Sequence, residues 1–168
     1  MKKLGLMCAV AAGALFGVGA AVAQSVELPN RHDAVPGITT AGQPSADALS
    51  AAAKAGYKTV IDLRPASEDH GFDEKKTVET LGMSYVSLPV AGAPGVTYEN
   101  ATALDKILRD APKPVLLHCS SSNRVGALLA LRAKLGGADD KAALDVGTAS
   151  GLAALKPAVE QKLAAGKD

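Results

Sequence analysis

The sequence predicts an α/β domain, three layers deep, with a parallel-rich sheet of about four or five strands between layers of helix. Three observations carry this. Short apolar runs at 59–64, 83–88 and 115–118 alternate with stretches of helix formers, so strands and helices take turns along the chain. The runs at 59–64 and 115–118 are apolar almost throughout, as strands covered on both faces are. There is no internal repeat, and such alternation closes most simply through crossovers into one sheet.

Taken in order, residues 24–36 form an irregular lead-in with turn signals at Pro29, Asn30 and Pro36-Gly37, and any strand there is short. Residues 38–41 read as an edge strand. Gly42-Gln43-Pro44-Ser45 is then a turn that caps a helix over 46–54, ended by Gly56. The strand at 59–64 stops at Pro65. A charged loop with Glu68, Asp69, His70 and Asp73 leads into a helix over 74–81, closed by Gly82. The run at 83–88 alternates apolar with polar and ends at Pro89, and 90–96 reads as a flexible loop. Thr97 caps a helix over 98–109, and Pro112 and Pro114 bracket the turn into 115–118, expected to be the central strand. Only helices follow. One runs through Ala127 to Leu135, one opens at Asp139-Asp140 and stops at Gly151, and one covers about 157–165.

With 168 residues and a formal net charge of +1, the chain has no charge bias toward nucleic acid. An aromatic fraction of 3% without Trp gives no platform for stacking bases. Lys2 and Lys3, an apolar stretch over 4–18 and the small-x-small triplet Ala21-Val22-Ala23 predict a signal peptide over 1–23. Residues 24–168 are then a single exported domain, periplasmic or secreted, with no membrane contact after cleavage. Cleavage removes Cys8 and leaves Cys119 alone. An unpaired cysteine in an oxidising compartment is either buried and inert or kept for its reactivity, and the polar loop around Cys119 favours chemistry.

That loop, His118-Cys119-Ser120-Ser121-Ser122-Asn123-Arg124, joins the central strand to a helix. The first turn of such a helix points unpaired N–H groups back at Cys119, which makes an anion site with a thiol in it. The same field favours thiolate over thiol. Arg124 supplies a planar fork for an oxyanion, and Ser120, Ser121, Ser122 and Asn123 line the place where it would bind. Short hydroxyl residues also simply suit a tight loop, and His118 is legible either as a satisfied core histidine or as a catalytic partner. His32, His70 and His118 are far apart in sequence without an i, i+4 companion, and no Gly-rich nucleotide fingerprint follows a strand, so no metal or cofactor is expected. The expected partner is a phosphate ester or another oxyanion.

His118-Cys119, the short loop and Arg124 resemble the active-site loop of the cysteine-dependent phosphatases. Gly42-Gln43-Pro44, the run Val60-Ile61-Asp62-Leu63-Arg64-Pro65 and Leu88-Pro89-Val90 recur in that order in one bacterial tyrosine-phosphatase-like branch, labelled beta-lactamase-hydrolase-like. The resemblance spans about 40–163. It implies a cysteine-phosphatase-like fold and hydrolysis of phosphate monoesters, phosphotyrosine or aryl phosphates among them. It also implies that Cys119 attacks phosphorus to give a phosphocysteine, that Arg124 and the amides from Ser120 to Arg124 hold the equatorial oxygens, and that His118 steadies loop and thiolate.

Three departures bear on activity. The loop is Cys-x4-Arg, one residue shorter than in most tyrosine phosphatases, and its length also resembles the rhodanese-like sulfurtransferases; those lack the Gly42-Gln43-Pro44 and Leu63-Arg64-Pro65 pair. Val125 stands where phosphatases place a hydroxyl that helps the cysteine leave, which implies slow turnover. Ser122 replaces a glycine usual in the branch and is strained if its φ is positive. Together these keep a catalytically impaired phosphate- or sulfate-binding protein as a reading from a different class. Residues 90–96 contain no aspartate, so the general acid is sought among Asp62, Glu68, Asp69, Asp73 and Glu99.

Overall fold

A computed structural model describes residues 26–166, and the expected signal peptide lies outside them. Five strands form one sheet in the order β1-β2-β5-β3-β4, from β1 (His32–Val35), β2 (Ile38–Ala41), β3 (Thr59–Asp62), β4 (Ser84–Ser87) and β5 (Val115–His118). Only β1 runs antiparallel; the other four are parallel. The parallel register aligns Ala41, His118, Asp62 and Ser87 in one row. Whatever follows these residues therefore emerges along a single carboxyl edge, where sites in such sheets collect.

Side chains alternate across the sheet and fill two cores. Ile38, Ile61, Val115 and Leu117 meet Leu104 and Leu108 of α3 (Tyr98–Asp110) and Leu128 and Leu129 of α4 (Asn123–Leu135). On the opposite face, Ala41, Val60 and Leu116 meet Leu49 and Ala52 of α1 (Ala46–Lys54) and Val78 of α2 (Glu74–Thr80). A third cluster packs α5 (Asp140–Ala149) and α6 (Lys156–Ala165) against α4, through Leu131, Ala143, Val159 and Leu163. This explains why α4 is buried all round, from Arg124 to Leu131. Its crossing with α5 is a backbone contact: a Cβ at Gly126 would fall 2.6 Å from the Gly147 carbonyl and 2.2 Å from the Leu152 nitrogen. No described helix is long and apolar enough to cross a membrane.

Caps agree with the sequence. Ser45, Asp73, Thr97 and Asp139 each accept a hydrogen bond from the backbone N–H three residues on, at the starts of α1, α2, α3 and α5. Two expectations need correcting. Residues 38–41 do not form an edge strand, because β1 pairs outside them; their threonines are buried with partners, Thr39 Oγ1 donating to Asp33 Oδ1 at 2.6 Å and Thr40 Oγ1 to the Ser150 carbonyl at 3.0 Å. Residues 90–96 are not a loose loop. They contain a 3₁₀ turn, Ala93–Gly95, with Val90, Gly95 and Val96 buried.

Candidate active site

Cys119 follows β5 at the carboxyl edge, and the loop from it to α4 is fastened on three sides. The Gln43 N–H donates to the Ser120 carbonyl at 3.2 Å, and the Gln43 side chain donates to the His70 carbonyl at 3.0 Å, so one residue ties the cysteine loop to the loop after β3. Gly42 leaves room for this: a Cβ there would lie 3.0 Å from the Ser120 carbonyl and 3.3 Å from Pro29. On the other side, the Leu63 N–H donates to the His118 carbonyl at 2.9 Å, and Val90 N–H to the Leu63 carbonyl at 2.9 Å. The Val90 carbonyl then accepts from Arg124 Nη1 at 3.1 Å. The three motifs carrying the family resemblance thus meet around one loop.

Within the loop, Ser122 has φ +66, the left-handed conformation that glycine adopts freely. Its hydroxyl, fully buried, donates to the Ser150 carbonyl at 3.0 Å. That bond offsets part of the backbone strain, and Gly151 makes it possible, since a Cβ there would lie 2.5 Å from Ser122 Oγ. Asn123 also turns away from the loop's mouth, its Oδ1 accepting from Ala153 N–H at 2.8 Å and Leu155 N–H at 3.2 Å. Of the four residues expected to bind substrate, Ser122 and Asn123 therefore have side chains engaged in holding the loop, and only their backbone is available to an anion. Ser120 and Ser121 are exposed. Cys119 is a free cysteine, 1% exposed, packed in the same apolar cluster as Val125.

Arg124 is gripped end-on by Glu68. Nη1 donates to Glu68 Oε1 at 2.5 Å and Nη2 to Oε2 at 2.8 Å, while Nη2 also donates to Ser120 Oγ at 2.8 Å and that hydroxyl donates to Glu68 Oε2 at 2.5 Å. Burial works against the Arg124 charge, but these bonds and the neighbouring Cys119 sulfur hold the guanidinium above its ordinary value. The Arg124 hydrogen bond in turn holds the Glu68 carboxyl below the usual carboxylate range, against a smaller opposing effect of burial. Sequence reasoning named Glu68 only as one of five acids; its partners lie 52 and 56 residues away, and only the fold brings them together.

Beneath the loop lies a second charged assembly, wholly buried. Arg64 donates through Nε to Asp62 Oδ1 at 2.9 Å and through Nη2 to Asp62 Oδ2 at 2.8 Å, and it also bonds Glu74. His118 Nε2 approaches Glu74 Oε1 at 2.7 Å without hydrogen-bond alignment and Asp62 Oδ1 at 3.9 Å. Tyr85 donates its hydroxyl to Asp62 Oδ2 at 3.1 Å, and burial, reinforced by Asp62, pushes the phenol well above its ordinary value. Asp62, His70 and Glu74 place ligand atoms within 4.8 Å of one another, a grouping that sequence spacing did not reveal. A divalent ion there would sit against Arg64, whose charge already answers both carboxylates, so the residues fit an ion-pair network better than a metal.

The remaining acids are engaged elsewhere. Asp69 accepts from the Gly71 N–H at 2.7 Å, Asp73 caps α2, and Glu99 stands in the first turn of α3.

Comparison with known proteins decides the family. The sequence model described as "Beta-lactamase hydrolase-like protein, phosphatase-like domain" matches residues 32–136, more than half of the chain. The chain belongs to this family. Among curated relatives of this phosphatase-like domain, the Beta-lactamase hydrolase-like protein of Agrobacterium fabrum (strain C58) is 32% identical over 104 residues, 60% of this chain. Those residues are 24% of the relative, so the chain aligns with about a quarter of that protein's length. In fold the domain is similar to a candidate phosphatase from Neisseria meningitidis Z2491, with TM-score 0.66 and 20% identity, covering 77% of this chain and 94% of the other. It is also similar to TpbA of P. aeruginosa, solved in complex with pTyr, with TM-score 0.58 and 21% identity over 83% and 85% of the two chains. The cysteine-phosphatase-like fold and a phosphatase-type hydrolase are the common ground.

Proposed function

We propose that this phosphatase-like domain hydrolyses phosphate monoesters, with Cys119 as nucleophile. The observation that carries this is the convergence of 42–44, 63–65 and 88–90 on the Cys119–Arg124 loop, which fixes a cysteine and an arginine at the start of a buried helix. Phosphoryl transfer asks mainly for positioning and charge stabilisation. In this reading the Cys119 thiolate attacks phosphorus and displaces the alcohol, Arg124 and the loop amides hold the equatorial oxygens, and water then releases phosphate from the phosphocysteine. His118 steadies the loop. Phosphotyrosine-like aryl phosphates are the proposed substrates, by analogy with the pTyr complex of TpbA. Turnover is slow, since Val125 offers no hydroxyl to the departing cysteine. We also propose an exported, periplasmic or secreted domain starting near residue 24, on the sequence of the leader.

Cys119→Ser should abolish phosphate release from p-nitrophenyl phosphate while inorganic phosphate still raises the melting temperature, because the thiolate is lost but the donors remain. Thiocyanate formation from thiosulfate and cyanide by the unaltered protein, without phosphate release, would overturn the reading in favour of a sulfurtransferase. A protein that does neither but is stabilised by phosphate through Arg124 would be the oxyanion-binding protein instead.

A further inference from the structure

We propose that Glu68 is the proton carrier of this reaction, held on the Arg124 fork until the substrate's oxyanion displaces it. The inference rests on the phosphatase reading above and adds to it the residue that residues 90–96 fail to supply.

A guanidinium has five N–H donors, two on each Nη and one on Nε. Glu68 and the Val90 carbonyl account for both on Nη1, and Glu68 and Ser120 Oγ for both on Nη2. Nε alone is left, and one donor cannot give a phosphate the two-pronged grip that makes arginine useful. An oxyanion can take a second donor only where Glu68, Ser120 or the Val90 carbonyl gives way, and Glu68 alone of the three is bonded to both Nη atoms. Its carboxylate, one-third exposed at 33%, already sits on the fork as an oxyanion would, with a hydroxyl donating to its second oxygen. It is therefore a substrate-like occupant that the chain itself provides.

Elimination points the same way. Asp62 and Glu74 are spent on Arg64 beneath the sheet edge, Asp69 closes a local turn, Asp73 caps α2 and Glu99 stands in the first turn of α3. Among the described residues, Glu68 is the one carboxylate hydrogen-bonded to side chains of residues 119–124. The charges facing it are cationic, Arg124 in contact and Arg64 farther off, and both favour its ionised form. Displacement reverses that balance: the carboxylate loses its Arg124 bonds and gains a phosphate as neighbour, and both changes favour the acid.

The proton count closes. A monoanionic ester takes the fork and passes its proton to Glu68, becoming the dianion. The Cys119 sulfur then bonds to phosphorus as the ester P–O bond breaks, and the Glu68 proton goes to the leaving oxygen, giving the free alcohol. Water next attacks the phosphocysteine, Glu68 takes its proton, the S–P bond breaks, and thiolate and inorganic phosphate remain. Glu68 finally gives up that proton and returns to Arg124.

The test compares leaving groups. Glu68→Gln keeps the shape and removes the transferable proton and the charge. Its kcat/KM for phenyl phosphate, a poor leaving group, should fall by ~100-fold, and for p-nitrophenyl phosphate, which needs little protonation, by less than ~10-fold. Inorganic phosphate should inhibit the variant more strongly than the unaltered protein, since the competing carboxylate is gone. Glu68→Asp should recover most of the phenyl phosphate activity. Equal losses for the two esters, or no loss, would overturn the inference while leaving the phosphatase reading intact. Unaltered protein that releases phosphate from neither ester would overturn both.

Discussion

Two carboxylate–guanidinium assemblies face each other across the end of β5, built from the same chemistry and put to different uses. Below the loop, Arg64, Asp62 and Glu74 have side chains that are 0–1% exposed; above it, Arg124 and Glu68 are 10% and 33% exposed. An ion pair without water has no other partner to choose, so removing one member leaves a stranded charge. Where water reaches, the same pair can open, because solvent takes over the freed groups at small cost. Burial thus makes the lower assembly a foundation for His118 and the loop. Partial exposure makes the upper one exchangeable, as the proposed anion site requires.

The sharpest way to break this comparison is to cut each assembly once. Arg64→Met should cost about 3–5 kcal/mol, since two buried carboxylates lose their cation. Glu68→Gln should cost less than about 1 kcal/mol. Urea unfolding measures both, and similar costs for the two would show that exposure does not separate them.

Acid reaches both assemblies, and a substitution at Asp62 isolates the share of the lower one. Burial pushes the Asp62 carboxyl up, but the Arg64 hydrogen bonds, with the neighbouring His118 imidazole, prevail and hold it below the ordinary range. A carboxyl depressed by folding stabilises the protein above its unfolded value, about 3.9, and that contribution is lost as pH falls through the lower folded value. Asp62→Asn should therefore lower stability at neutral pH and flatten its decline below about pH 4. If stability of the variant still falls with the unaltered slope when measured at stepped acid pH, Asp62 is not the group that acid attacks.

The smallest net difference concerns two substitutions in the loop between the two. Ser122→Ala keeps the left-handed backbone and loses the bond to Ser150, costing about 1–2 kcal/mol. Ser122→Gly loses the same bond but relaxes the backbone, so the two changes should nearly cancel, within about 1 kcal/mol. A melting temperature lowered more by glycine than by alanine would contradict the assignment of strain at this position.

Much of the scaffold was legible because it depends on neighbours in the chain. Ser45, Thr97 and Asp139 announce their helices within one turn, and the apolar run 115–118 announces a covered strand. Residues 38–41 misled because Thr39 and Thr40 look like solvent-facing residues until Asp33 and Ser150 are seen to satisfy them. Gly92, Pro94 and Gly95 suggested slack, whereas the missing side chain of Gly95 permits its tight packing on Val90. In the site, the loop's sequence foretold a place for a cysteine and an arginine, and the unusual Ser122. That Glu68 would reach Arg124 and Glu74 would reach His118 was not legible, because those contacts depend on where the loop after β3 comes to rest, a property of the whole sheet.

The glycine crossing of α4 and α5 makes the site vulnerable from a place that contains no chemistry. Gly126 sits two residues past Arg124, and Gly147 sits three residues before Ser150, whose carbonyl is the anchor for Ser122. The helix pair behaves as a pair of shears with its pivot at these glycines and the cysteine loop between the blades. One methyl group at the pivot alters no charge and no hydrogen-bonding group, yet it would force the blades apart and turn both arginine and anchor off their mark. Loss of function by such a change would look, from the reacting atoms alone, as though nothing had happened.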